Sequence, residues 1–254
     1  MDIPTRTEID DKLRGEDLDA WLELWRAEQG PAKPAALALL AAAIPFPTDR
    51  SLRVLDVGCG TGDAGRAIHA RFPHAQVDFV DRNLFFASLC GMVNRRDGLS
   101  GRTLVRDLSE RDWRQDLASH YDVVVAVNAM HWFTAARAAE LFGDIRQSLG
   151  PGGALLLMEP VGAESAFAPG FNAWRKEQPG QHDHEDWRRF WSRVQALVGY
   201  DYGFLGDPPD GQDLRIGDKL SVMQWVGLLA GAGFESIDIL LRDSEKAVLA
   251  AVTS

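Results

Sequence analysis

Between Arg53 and Met158, short apolar runs alternate with longer segments of helical periodicity, the pattern of βαβ units built around a parallel sheet. The expected strands are Val54–Val57, Gln76–Val80, Thr103–Arg106, Asp122–Val127 and Ala154–Met158. The run from Asp122 is so rich in valine that it reads as a strand buried on both faces. Upstream, Leu18, Trp21, Leu22 and Trp25 share one face of a helix over residues 16–29, with Asp17 as its cap. A second helix over Ala35–Ala43 is stopped by Pro45 and Pro47. Thr134 caps a later helix, whose Ala138, Leu141, Phe142, Ile145 and Leu149 form an apolar stripe that ends at a Gly150–Gly153 turn.

The alternation breaks over residues 161–219, which are rich in aromatic residues, proline and glycine and only weakly periodic. A structureless loop of that length is improbable in a compact domain, so the segment is expected to be a partly helical insertion over the sheet edge. Ser221 and Gln224 then make a capping box that opens a helix ending by Gly233. Ser236–Leu241 and Ala247–Val252 follow as strands joined by a short polar turn, which forces them to be antiparallel. The expectation is an α/β fold with a mixed sheet in three parts. These are an N-terminal helical cap (1–34), a core (35–160 and 220–254) and a covering insertion (161–219).

Composition narrows the function classes. With 27 basic against 37 acidic residues and a net charge of −10, the chain is a poor electrostatic match for nucleic acid. The adjacent arginines Arg95-Arg96 and Arg188-Arg189 read as solvated faces. Met1–Arg14 is charged and polar without a leader pattern, and the longest apolar run, Ala35–Ile44, is too short to span a membrane. The two cysteines, Cys59 and Cys90, form neither a disulfide framework nor a zinc site. A cytoplasmic protein is expected, and the preference for arginine over lysine suits a GC-rich bacterial genome.

Gly58-Cys59-Gly60-Thr61-Gly62 sits between a strand and a helix, where backbone N–H groups and a helix N-terminus can approach a ligand closely. Gly60, Gly62 and Gly65 also satisfy the dinucleotide fingerprint, and Asp81 stands about twenty residues on, at a strand end suited to ribose hydroxyls. On these residues alone, the loop fits either a nicotinamide dinucleotide or another adenosine cofactor.

Val54-Leu55-Asp56-Val57-Gly58-Cys59-Gly60-Thr61-Gly62 resembles the first motif of class I S-adenosylmethionine-dependent methyltransferases. Asp81, Asp107-Leu108, Asn128-Ala129-Met130-His131-Trp132 and Leu149–Gly153 continue the resemblance in order. It implies a Rossmann-like seven-stranded mixed sheet with helices on both faces and a terminal antiparallel hairpin. It further implies S-adenosyl-L-methionine as cofactor, leaving as S-adenosyl-L-homocysteine. Asp56, Gly58, Cys59, Gly60, Thr61 and Gly62 would face the methionine part, Asp81 with Arg82 the ribose, Asp107 and Leu108 the adenine, and Asn128 the sulfonium end. Asn83 stands where related sequences carry a small hydroxyl residue.

Asn128–His131 and Pro151–Glu159 are also similar to the carbon-methylating domains of polyketide synthases. That resemblance makes His131 and Glu159 a catalytic pair, with Glu159 orienting an imidazole that deprotonates the substrate. Trp132 departs from those domains, and with Asn128-Ala129 it equally resembles the trans-aconitate methyltransferase branch, whose carboxyl chemistry needs no base. The expected substrate is a small organic molecule, methylated on oxygen, carbon or carboxylate. The alternatives are an RNA or protein methyltransferase, or a binding module without catalysis. In the insertion, Trp174, Phe190, Trp191, Tyr200, Tyr202 and Phe204 either wall the substrate pocket or form a small core. His182, Asp183, His184 and Glu185 read as a solvated loop rather than a metal site.

Overall fold

A computed structural model describes residues 3–29, 33–162, 168–177, 185–202, 220–243 and 245–253. The chain begins with helices α1 (Arg6–Leu13), α2 (Leu18–Gln29) and α3 (Lys33–Ala42), then enters the alternating core. There β1 (Arg53–Val57) leads to α4 (Asp63–Arg71), β2 (Gln76–Asp81) to α5 (Leu84–Arg96), and β3 (Thr103–Val105) to β4 (Tyr121–Val127). A 3-10 turn (Met130–Trp132), α6 (Ala135–Ser148) and β5 (Leu149–Pro160) follow. The remaining elements are α7 (Ala168–Glu177), α8 (Glu185–Val198), α9 (Val222–Gly231), β6 (Ser236–Arg242) and β7 (Lys246–Val252). Among the described residues, no helix is long and apolar enough to cross a membrane.

The strands form one sheet in the order β3-β2-β1-β4-β5-β7-β6. The first five are parallel, and β7 inserts antiparallel between β5 and β6, so the sheet is mixed as the tight terminal turn requires. Strand order reverses between β1 and β4, and the crevice above that reversal is where open α/β sheets take ligands. Alternate strand residues go to opposite faces. Leu55, Val57, Val124, Ala126, Leu155 and Leu157 pack with α6 and α9, through Leu141, Phe142 and Trp225. Val54, Val123, Val125 and Leu156 pack on the other face with α3 and α4, through Leu37, Leu40 and Ile68.

Within the expected N-terminal helical cap, the polar start is itself a helix: Thr5 and Glu8 form a capping box that opens α1, a four-residue pattern present in the sequence. Two local expectations change. The Gly150–Gly153 turn is instead a bulge within a longer strand. β5 pairs from Leu149, opposite Tyr121, and the register shifts before Ala154 meets Val123, with Gly152 at a φ of 68° absorbing the extra residues. Among the described residues, the aromatic side chains of the insertion do not form a core of their own. Phe190 and Trp191 of α8 are buried against Trp21 and Trp25 of α2 and Phe85 and Phe86 of α5, and Tyr200 and Tyr202 pack beside them. Ring centroids lie 4.8 Å apart for Trp25 and Phe86 and 5.0 Å for Trp21 and Phe85. Burying each phenylalanine here is worth about 1.5–3 kcal/mol, so the N-terminal helices and α8 stabilise one another. Trp174 is exposed on α7. Phe204 and the segment His182–His184 lie outside the described residues.

Candidate functional site

The residues singled out by motif converge at the C-terminal edge of the parallel strands, in two corners. The first is the loop between β1 and α4. Its three glycines have left-handed φ values of 64° at Gly58, 53° at Gly60 and 83° at Gly62. Gly58 must also be glycine because a β-carbon would stand 2.5 Å from that of Ala129, on the loop after β4. At Gly60 a β-carbon would meet nothing within 4 Å, so that face of the loop is open. The Gly60 N–H donates to Asp81 Oδ2 at 2.8 Å, and the Asn83 N–H donates to Asp81 Oδ1 at 2.8 Å. Asp81 thus clips the first loop to the start of α5 while each oxygen keeps a lone pair for another donor. Burial pushes its carboxyl above the usual range, against the pull of the N–H groups of Asn83, Gly60 and Arg82.

Asp56 lies beneath this loop rather than on it. It is 1% exposed, and its Oδ2 accepts from the Gly65 N–H in the first turn of α4 at 2.9 Å. Burial pushes it up to about 7. The Cys59 N–H donates to the Val80 carbonyl at 3.0 Å, and burial together with the neighbouring Cys90 thiol pushes the Cys59 thiol well up. Thr61 is buried, and its hydroxyl donates to Asp63 Oδ2 at 3.1 Å. The Asn83 side chain caps α5, accepting from the N–H groups of Phe85 and Phe86, so its oxygen serves the helix.

Along the same edge, Asp107 accepts from the Ser109 N–H and hydroxyl and stands 3.8 Å from Arg82, both half-exposed. The Leu108 side chain is buried in the core. Its carbonyl accepts from Arg137 of α6 at 2.6 Å and 3.1 Å, and Arg137 also reaches the Glu110 carbonyl. Arg137 was not foreseen, because nothing local links an arginine in the first turn of α6 to a turn 29 residues earlier. The Asp63 cluster was likewise missed. Burial works to raise Asp63, but Arg66 at 2.6 Å, with Lys33 and Arg26 at 3.9 Å and 3.5 Å, holds it below the usual carboxylate range. This cluster ties α2 and α3 to the start of α4.

The second corner joins the ends of β4 and β5. Asn128, with φ of 52° and its N–H on the Met158 carbonyl at 2.8 Å, turns the chain into the 3-10 helix. Glu159, 0% exposed, caps that helix. Its Oε1 accepts from the N–H groups of Ala129 at 3.0 Å and Met130 at 2.7 Å. Its Oε2 accepts from the His131 N–H at 3.3 Å and lies 2.9 Å from His131 Nδ1. A carboxylate surrounded by three N–H donors acts as an acceptor, so the His131 proton belongs on Nδ1 and Nε2 is left to accept. The His131 and Trp132 rings lie 5.2 Å apart.

Against this geometry, residues 54–153 match the family model of a methyltransferase domain. Over those residues the chain carries a methyltransferase domain. Among curated relatives of the methyltransferase domain, the highly reducing polyketide synthase acrA of Aspergillus aculeatus is 27% identical over 197 residues, covering 75% of this chain and 7% of that protein. Trans-aconitate 2-methyltransferase of an Acidovorax species is 29% identical over 136 residues, covering 53% of this chain and 47% of that one. The chain therefore spans less than half the length of these relatives. The crystal structure of the CurJ carbon methyltransferase shares the fold, with a TM-score of 0.54 at 22% identity over 83% of this chain and 50% of that one. The domain's own residues fit the cofactor of its class. The loop is open at Gly60, where any side chain would project, and Asp81 is a partly exposed carboxylate with spare acceptor capacity at the strand end.

Proposed function

We propose that the chain is a methyltransferase that acts on a small organic molecule and uses His131 as the base that removes the substrate proton. The single observation that carries the base assignment is the 2.9 Å contact between His131 Nδ1 and the buried Glu159 carboxylate. When bound, S-adenosylmethionine supplies a methyl carbon made electrophilic by its positive sulfur. The glycine loop would hold its amino-acid end, Asn128 would lie beside its sulfonium, Asp81 would hold its ribose hydroxyls, and the Asp107-Leu108 backbone its adenine. Glu159 keeps the His131 proton on Nδ1, leaving Nε2 to take a proton from a hydroxyl or carbon acid, and its negative charge stabilises the imidazolium that results. Trp132, beside the imidazole, helps to shut out water. Residues 161–219 are assigned to covering the substrate.

The polyketide synthase relatives favour a natural-product intermediate methylated on carbon or oxygen. The trans-aconitate 2-methyltransferase relatives favour a carboxylate, and there His131 would be dispensable, which separates the two readings. The cofactor is tested by thermal unfolding with S-adenosylhomocysteine and, separately, with NAD and NADH. At one hundred times its dissociation constant, a ligand adds ~2.7 kcal/mol, which for a chain of this size is roughly 5–11 °C. A rise with S-adenosylhomocysteine alone is expected, and a rise with the nicotinamides alone would overturn the proposal.

A further inference from the structure

Away from the two corners, α1, α5 and the starts of β2 and β3 enclose a cavity of about 190 Å³ whose lining includes Arg6, Phe79, Gly91, Asn94, Arg95 and Arg102. Three arginines from different parts of the chain meet there, in a protein whose net charge is −10. Arg102 is matched by Asp78, at 2.8 Å. Arg6 is held only by neutral groups, the carbonyls of Thr103 at 2.8 Å and Ala87 at 3.4 Å. Arg95 reaches the same place from the last turn of α5. A methyl group on Gly91 would stand 3.0 Å from Arg6 Nη2 and 3.5 Å from Arg95 Nη1, so the two guanidinium groups converge on one point.

Among the described residues neither guanidinium makes an ion pair, and no acidic residue lines the cavity. Asp10, one turn along α1 from Arg6, forms none with it, and its buried Oδ1 has no partner. A position in the last turn of α5 accounts for Arg95 through the helix dipole, but it does not account for Arg6 turned toward it.

Two converging guanidinium groups make a donor set that matches a tetrahedral oxyanion, whose several oxygens accept charge-assisted hydrogen bonds.

We propose that this cavity binds a phosphate-class oxyanion bridged between Arg6 and Arg95. The oxyanion is either free phosphate or the phosphoryl group of a larger ligand. The test is calorimetric titration of the full chain with inorganic phosphate and with glycerol 3-phosphate, in chloride buffers of matched ionic strength. Saturable phosphate binding is expected. Arg95→Gln should weaken it about tenfold, the usual scale for one charge-assisted contact, and Gly91→Ala should do likewise by filling the meeting point. Arg188→Gln on α8 should leave it unchanged. Arg95 is exposed, and among the described residues it is bonded to nothing that its loss would unfold, and S-adenosylhomocysteine binding by Arg95→Gln should match the parent. Tighter binding of glycerol 3-phosphate would identify a phosphorylated organic ligand, and equal binding would identify phosphate itself. Heat no greater than that of chloride, or full affinity in both Arg95→Gln and Gly91→Ala, would overturn the proposal.

Discussion

At the corner between β1 and β2, Asp81 receives the N–H groups of Gly60 and Asn83; at the corner between β4 and β5, Glu159 receives those of Ala129, Met130 and His131 and faces the His131 imidazole. Both carboxylates sit where a parallel strand ends, and both hold a loop in place. They differ in what remains. Asp81 is partly exposed and has acceptor capacity left over, beside a loop face that opens at Gly60. Glu159 is fully enclosed, and every donor it meets belongs to its own chain. On the proposed reading, the first corner meets a ligand with its carboxylate. The second uses its carboxylate as a scaffold and presents one side chain, His131, in its place.

The largest expected effects lie at the second corner. His131→Ala should lower turnover on the true substrate by about 10²–10⁴-fold, the range for a lost general base, with little change in thermal stability. Glu159→Gln should lower turnover by about a hundredfold or more. It should also lower the melting temperature, because an amide NH2 would face backbone donors that need an acceptor. Rate and stability thus separate for His131 and fall together for Glu159. Near-wild-type turnover in both variants would remove the base and favour carboxylate methylation.

At the first corner the contrast is between Gly58 and Gly60, two residues apart. Gly58→Ala meets Ala129 and a left-handed φ together, and should cost about 3 kcal/mol or more in urea unfolding. Gly60→Ala carries only the conformational cost of ~1–2 kcal/mol, yet its new methyl enters the open face and should weaken S-adenosylhomocysteine binding at least tenfold. Equal stability losses, or undiminished binding by Gly60→Ala, would show that the open face is not where the cofactor lies.

Much of this was readable where the signal is local. The strands, the glycine loop, the Ser221–Gln224 capping box and the antiparallel terminal pair all follow from spacing over a few residues. The capping box at Thr5 was equally local, but the polar character of the segment masked it. The contacts that escaped are long-range. Arg137 holding the Leu108 carbonyl, Lys33 and Arg26 gathered around Asp63, and Phe190 docked on Trp21 and Trp25 each depend on how distant helices pack. The 161–219 segment shows the limit most clearly. Its aromatic residues announced burial, but only the packing reveals that α8 is buried against the N-terminal helices.

Asp56 offers the smallest and sharpest contrast, because it has a carboxylate at the same sheet edge that is buried beneath the loop. Burial keeps its proton on up to about pH 7, whereas in the unfolded chain the proton leaves near the ordinary value of 3.8. Between those values the folded protein binds a proton that the unfolded chain has released, so this group makes stability fall as pH rises, levelling off above about 7. Asp56→Asn removes the titration while keeping an oxygen for the Gly65 N–H. Relative to the parent, the variant should gain about 2 kcal/mol between pH 5 and pH 7, the linkage expected for one proton over that interval. Urea midpoints measured at half-unit steps would resolve this. A difference that stays constant with pH would mean that Asp56 is ionised throughout in the folded protein, and that the N–H of Gly65 and the charges of Arg66 and Lys33 outweigh its burial.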